Sequence, residues 1–485
     1  MARREDINKK VEENFDEELR SFAELVGINS VGTPADGDMP FGRGVQEAFE
    51  YVLDKGSEFG YETENIDNYG GHVECGGLLR DESGTVTGTS DEVVGIIAHL
   101  DTVPLGDGWK HEPLSCEEED GKIYGRGTSD DKAGAIAGLF AMKALTDLGY
   151  DPSKKVRLIL GLDEETGWSG MEYYNERVKE PDTGWTPDAN FPAIRAEKGT
   201  LSFDIAKKFA PSANEGLELR KVTGGRAHNM VPDAARAVVY SKDPGAYDAV
   251  KEKAAEMREG GEARIFTKPA GKSLEITTEG VTAHGATPEE GVNAISILMS
   301  FLGTLEFVND DAADVVEFYN TYIGNELDGA SLGCRFEDED SGATIVNAGM
   351  IAMDMKELKL TINVRYPVTK TDEDIYEGIM PVLEKYDMGI VKQSHLEPII
   401  FAEDDPLIKT LMSVYAEETG DTESRPLVIG GGTYARAFKN IVAFGPLFPG
   451  ETAVCHQTDE YMRRDSLLMM TKIFAQAIDH LAAED

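Results

Sequence analysis

Two short apolar runs constrain this chain more than any other feature. Glu92–Ala98 (EVVGIIA) and Val156–Leu162 (VRLILGL) are aliphatic and β-branched, and Lys132–Leu148 between them is a helix candidate rich in Ala, Leu and Met. Mostly apolar runs of this length suit strands covered on both faces, where no alternation is needed. Strand, helix, strand is the pattern of a βαβ unit. It predicts an α/β domain with a mixed, mostly parallel sheet. In such sheets functional side chains collect beyond the carboxyl ends of the strands. His99 follows the first run, and Asp163-Glu164-Glu165 follow the second.

The middle of the chain reads differently. From about Thr200 to Leu396, strand-like stretches (Leu201–Ile205, Ala237–Tyr240, Ser273–Thr278, Leu358–Val364) mix with helices (Pro244–Glu259, Asn293–Leu302, Thr371–Tyr386). This predicts an inserted α+β module. The expected domains are 1–199 joined by 397–485, and 200–396 between them. A ligand-type His456 implies that the C-terminal segment returns to the first domain. A length of 485 residues fits two or three units. The hydrophobic fraction of 41% supplies real cores and sets disorder aside.

The charge balance removes some function classes. With 90 acidic against 47 basic residues the formal charge is −43, which repels phosphate backbones. Neither nucleic acid nor an anionic membrane is expected as a partner. Cys75, Cys116, Cys334 and Cys455 lie far apart with no C-x-x-C pair, which argues against a disulfide framework or a thiolate zinc site. Cys455, directly before His456, is read as lining a site without binding in it. The charged N-terminal stretch lacks the apolar core of a secretion signal. No run approaches the roughly 18 apolar residues of a membrane span. A cytoplasmic protein is expected.

Five motifs carry chemistry. His99-x-Asp101, at a strand end, is either a satisfied histidine or a neutral imidazole ligand that Asp101 orients. In Gly125-Arg-Gly-Thr-Ser-Asp130-Asp131-Lys-Ala-Gly134, glycines allow tight turns before a helix, and either aspartate could be an ordinary N-cap. The spacing is not that of a phosphate loop, and two aspartates would repel an anion. An aspartate that bridges two cations suits the pattern better. Asp163-Glu164-Glu165 is either a solvated acidic turn or a division of labour. In the second case Glu165 binds metal and Glu164 accepts a proton from water. Asp188 and His456, taken alone, read as loop residues. Together these motifs offer two histidines and three carboxylates without thiolate, a set that suits Zn, Mn or Co. A bridging carboxylate with two further ligands per metal makes a two-metal hydrolase site, with metals about 3.5–4 Å apart.

The segments AHLDTVP (98–104), YGRGTSDDKAG (124–134), LDEETG (162–167), PDANFP (187–192), EKG (197–199) and CHQTDEY (455–461) resemble, in order, the M20 metallopeptidase family. Within it they are most similar to the PepV-type bacterial dipeptidases. The resemblance implies a catalytic domain of zinc-peptidase (phosphorylase/hydrolase-like) architecture with an inserted α+β lid domain. It implies two zinc ions, with manganese or cobalt as alternatives. His99 and Asp188 would hold one, Glu165 and His456 the other, and Asp130 both, while Asp131 stays outside the ligand set. Glu164 would be the general base, with Asp101 supporting His99. In the lid, GVTAHGATPEEGVNA (280–294) supplies His284 as an oxyanion donor. Asn229 and Arg365 would contact the substrate carboxylate, as would Gly432 and Thr433 of GGGTYAR. A flexible turn is the alternative for Gly430–Gly432, and a surface salt bridge for Arg365. His228 is undecided. His72, His111, His395 and His480 lack motif partners and read as structural or surface residues.

The implied reaction is hydrolysis of a dipeptide with a free C-terminal carboxylate by metal-activated water. The alternative on the same metal core is an N-acyl-amino-acid amidohydrolase or desuccinylase acting on a small acylated amino acid. A catalytically dead peptide-binding protein is disfavoured, because every ligand and the base are present. A monomer is expected, since the lid supplies its histidine from the same chain.

Overall fold

The structure, a computed structural model, describes residues 4–81, 83–211, 215–261 and 263–483. The chain divides into two compact units. One comprises Met1–Ala196, Ile400–Leu427 and Thr433–Asp485; the other comprises Glu197–Ile399 and Val428–Gly432.

In the first unit, strands Glu62–Ile66, Gly70–Gly76, Lys155–Gly161, Val93–His99, Thr183–Thr186 and Ile441–Ala443 lie side by side in that order. The last four run parallel to one another, and the first two pair antiparallel at the edge. Both apolar runs are therefore strands near the sheet's centre, where neighbours on each side remove any need for a polar face. Helix Lys132–Asp147 connects them and is buried almost throughout. It packs against helices Arg4–Val26 and Arg464–Leu481 as well as against the sheet, which explains why it is apolar all round. Gly138 sets its distance: a Cβ there would lie 3.2 Å from the side chains of both Ile96 and Leu158.

This topology places the site. The parallel register pairs His99 with Gly161, so the chain leaves both strands at the same end. Strand Thr183–Thr186 runs the same way, and its Thr186 hydroxyl donates to the Ile97 carbonyl at 2.7 Å. Asp188 therefore emerges beside His99. The C-terminal segment returns as Tyr461–Arg463, which pairs antiparallel with Lys122–Tyr124. That pairing brings His456 to the loop that carries Asp130.

The second unit holds an antiparallel sheet of eight strands. Their order is Arg264–Ala270, Ser273–Glu279, Ala234–Tyr240, Glu218–Gly224, Ile345–Met353, Glu357–Tyr366, Gly199–Lys208 and Gly389–Leu396. Alternate residues Leu201, Phe203 and Ile205 enter a core shared with Leu298, Leu302, Val315 and Phe318 of two helices. Helix Asp372–Leu383 starts at a capping box between Thr371 and Asp374. Val428–Gly432 joins this unit through the Lys198 amide, which donates to the Ile429 carbonyl at 3.0 Å. Four of these eight strands escape the sequence reading. One of them, Gly389–Leu396, lies at the sheet edge with most residues exposed, so it carries little apolar signal. Among the described residues, no helix is long and apolar enough to cross a membrane.

Candidate metal centre

Asp130 lies between the two histidines. Its Oδ1 is 2.9 Å from His99 Nε2 and its Oδ2 is 3.0 Å from His456 Nε2. Glu165 Oε1 approaches the same His456 nitrogen at 3.1 Å. Asp188 Oδ1 lies 4.0 Å from His99 Nε2. The result is two groups that share one carboxylate: His99, Asp130 and Asp188, and Asp130, Glu165 and His456. Within each, the candidate ligand atoms lie within 4.8 Å of one another. Each group offers one imidazole and two carboxylates, a donor set that fits zinc and its neighbours.

The electrostatics point the same way. Burial pushes the Glu164 carboxyl up to about 8; His99 opposes the shift, while Glu165, Asp130 and Asp101 add to it. Burial and the nearby Asp130 charge also hold Asp188 and Glu165 above the usual carboxylate range. Asp130 goes the other way. Burial works against its charge, but hydrogen bonds from His456 and His99 hold it well below that range. Partial desolvation opposes charge on His456, whose side chain is 48% exposed, yet bonding to Asp130 and Glu165 pushes it up to about 11. Among the described residues, the ion-pair partners of Asp130, Glu165 and Asp188 are histidines. Carboxylates crowded this closely repel one another, and divalent cations relieve that repulsion.

The neighbouring residues hold this arrangement in place. His99 Nδ1 lies 3.0 Å from the Asp101 backbone carbonyl and 3.5 Å from its carboxylate. With a proton on Nδ1, Nε2 would be free to bind a cation in place of its hydrogen bond to Asp130. The Asp101 carboxylate accepts from the amides of Glu164 and Glu165, each at 3.1 Å. Asp101 thus ties together the ends of the two central strands, besides supporting the ring. Asp163, first of the acidic triplet, is taken up by its own turn and accepts from Ser169 and Gly170. Asp131 sits at the N-cap of helix Lys132–Asp147 but makes no capping bond. One of its oxygens accepts from the His99 amide at 3.3 Å, and the other is buried without a partner. The ordinary N-cap reading therefore fails for Asp131.

Several contributors are not marked by any motif logic. Tyr434 lays its ring on Gly161, where a Cβ would fall 2.2 Å from it, and stands edge-on to His99 at 6.3 Å. Glu460 and Arg126 form a buried pair beside Asp130. Both lie inside the quoted segments, but nothing in the spacing assigns them a role. Thr433, also in the first unit, accepts from the Ala435 amide at 3.2 Å and caps a short 3-10 helix.

The remaining candidates lie in the second unit. Arg365 is buried. It donates to Asn363 at 3.1 Å, to the Thr200 hydroxyl at 3.0 Å and to the Gly430 carbonyl at 2.9 Å. Burial removes the surface salt-bridge alternative. Ser202 links Asn363 to His228 Nδ1, each at 2.9 Å. Asn229 accepts from the Gly285 amide at 2.7 Å through its carbonyl, which holds it to the exposed loop of His284. Gly432 is half-buried. The other histidines find ordinary partners: His72 with Tyr174, His111 stacked on Tyr124, and His395 with Tyr366. His480 is exposed in a last helical turn.

Known proteins align with this picture. The profile of peptidase family M20/M25/M40 matches residues 95–480. The Bacillus subtilis (strain 168) protein named "Putative dipeptidase YtjP" is 36% identical over 469 residues, covering 96% of this chain and 97% of its own. A Staphylococcus epidermidis protein named "Putative dipeptidase" is 33% identical over 482 residues, covering 98% and 99%. Human carnosine dipeptidase 1 shares the fold with a TM-score of 0.57 at 16% identity, covering 99% of both chains. Aminoacylhistidine dipeptidase from Vibrio alginolyticus does so at 0.54 and 14%, covering 96% and 97%. The chain belongs to peptidase family M20/M25/M40 and is a metallopeptidase.

Proposed function

We propose that this chain is a two-metal dipeptidase acting on dipeptides with a free C-terminal carboxylate. One observation carries the reading: the two oxygens of Asp130 are divided between His99 and His456. The descriptions of the bacterial relatives, which align over nearly the whole chain, supply the substrate class. His99, Asp130 and Asp188 would hold one cation, and Asp130, Glu165 and His456 the other. Zinc is the expected metal, with manganese or cobalt as alternatives.

When bound, such cations supply Lewis acidity: they lower the pKa of water and stabilise negative charge on a carbonyl oxygen. The protein's own groups do the rest. Glu164 takes a proton from the attacking water on its carboxylate and passes it to the leaving amine. Asp101 fixes the backbone of both Glu164 and Glu165 through their amides. By family resemblance, His284 donates to the oxyanion. Asn229, Arg365, Gly432 and Thr433 hold the substrate carboxylate, a task suited to a guanidinium. The first unit is then the catalytic domain and the second the lid. The proposed working form is a cytoplasmic monomer.

The test is a paired panel. Purified enzyme loaded with Zn²⁺ or Mn²⁺ is given dipeptides and the matching N-acetyl and N-succinyl amino acids. Cleavage of dipeptides alone is expected. Cleavage of the acylated series alone would reassign the chain as an amidohydrolase, and cleavage of neither would overturn both readings.

A further inference from the structure

Glu460 lies four residues beyond His456 in the same turn and is 0% exposed. Its Oε1 accepts from the Ser129 amide at 2.9 Å and from the Ser129 hydroxyl at 3.1 Å. Its Oε2 accepts from Arg126 at 2.6 Å. Its backbone carbonyl accepts from the Gly125 amide at 2.9 Å. Every one of these partners belongs to the short loop that ends at Asp130. Arg126 extends the grip: it donates to the carbonyls of Pro104 and Leu105, each at 3.3 Å, just past the His99-x-Asp101 segment. The turn is anchored again at Asp459, whose carboxylate accepts from the Lys110 and His111 amides at 2.8 and 3.1 Å. The buried Glu460–Arg126 pair thus joins the Asp130 loop to the His456 turn and to the stretch just past Asp101.

We propose that Glu460 is a positioning residue that locks Asp130 in register with the His456 turn, and so sets cation affinity at both positions together. The inference rests on the two-metal reading. Each Asp130 oxygen has its own imidazole, at 2.9 and 3.0 Å. A loop that turns Asp130 away from one histidine therefore turns it away from the other. A buried ion pair is often replaceable by apolar side chains without loss of stability. An apolar side chain cannot, however, accept the two hydrogen bonds from Ser129, the residue before the ligand. Groups of this kind behind a metal ligand typically alter affinity 10- to 100-fold.

Two double variants separate these roles. R126M/E460L and R126M/E460Q both remove the ion pair, but only the second keeps a side-chain acceptor for Ser129. The readouts are Zn²⁺ titration of the metal-free protein against a chromophoric chelator, the Co²⁺ absorption spectrum, and the Tm of the metal-free protein. We expect R126M/E460L to bind roughly 10- to 100-fold more weakly at both positions, with an altered Co²⁺ spectrum. R126M/E460Q should recover most of that loss. Equal affinities in the two variants, weakening at one position only, or a lower Tm with unchanged affinity would each overturn the proposal. Where a double variant does not fold, E460Q replaces it. Its amide cannot satisfy Arg126 and Ser129 at once, so it too must lose affinity at both positions. Failure of the wild-type protein to bind two equivalents would sink the two-metal reading itself; two equivalents with indifferent variants would sink this inference alone.

Discussion

Buried carboxylates lie in two charged clusters of the first unit, and the clusters are balanced in opposite ways. On the sheet's antiparallel edge, Glu74 meets Lys155 at 2.7 Å and Arg157 at 2.6 Å. Burial works against its charge, but these two cations hold it below the usual range. Beyond the strand ends, Glu164, Glu165 and Asp188 are pushed upward instead. The edge cluster pairs its carboxylate with two permanent cations; among the described residues, the ion-pair partners in the other are histidines. Glu18 gives a third case without either remedy. It is fully buried on helix Arg4–Val26, bonded to Thr471 at 2.5 Å, and burial pushes it up to about 8. A lone carboxyl so placed simply keeps its proton.

The sharpest way to break this contrast is to delete one carboxylate from each cluster. Glu164→Ala should lower kcat on the order of 10²- to 10⁴-fold, with two equivalents of metal retained by elemental analysis. Loss of metal would make Glu164 a ligand. His284→Ala, outside both clusters, should cost about 10²- to 10³-fold in kcat; an unchanged kcat would end its oxyanion role. Glu74→Leu should do the reverse. It leaves Arg157 buried without its carboxylate, so denaturant unfolding should show a loss of about 3–5 kcal/mol while kcat of the folded enzyme stays put. A fall in kcat there would mean that the clusters are coupled.

Glu18→Gln should give the smallest effect, visible as a slope. The folded-state pKa of about 8 exceeds the ordinary 4.5. Between those values the folded protein holds a proton that the unfolded chain has released, so Glu18 makes stability fall as pH rises. The substitution should flatten the Tm-against-pH curve over that window. An identical curve would mean that Glu18 is ionised when folded.

How much of this was legible from sequence depends on the range of the interaction. The two central strands, the helix between them and the placing of His99 and Asp163-Glu164-Glu165 at their ends were readable, because burial on both faces leaves mostly apolar runs. The convergence of His456 was inferred, but its cause, the pairing of Tyr461–Arg463 with Lys122–Tyr124, has no local signal. Glu460 and Tyr434 went unassigned for the same reason: their partners are set by long-range packing. Asp131 looked like a cap because aspartate before a helix usually is one. Edge strands such as Gly389–Leu396 stayed hidden because exposure removes the alternation that marks a strand.

The return of that C-terminal strand also has a consequence in time. A ribosome delivers His99, Asp130, Glu165 and Asp188 in one early stretch, then makes the whole second unit before His456 and Glu460 emerge. Until then the chain carries His99, Asp130 and Asp188 of one candidate group but lacks His456 of the other and the Glu460 side chain that holds Ser129. On the proposed two-metal reading, the group of Asp130, Glu165 and His456 is therefore complete only after residue 456 has been made, whereas that of His99, Asp130 and Asp188 is complete much earlier.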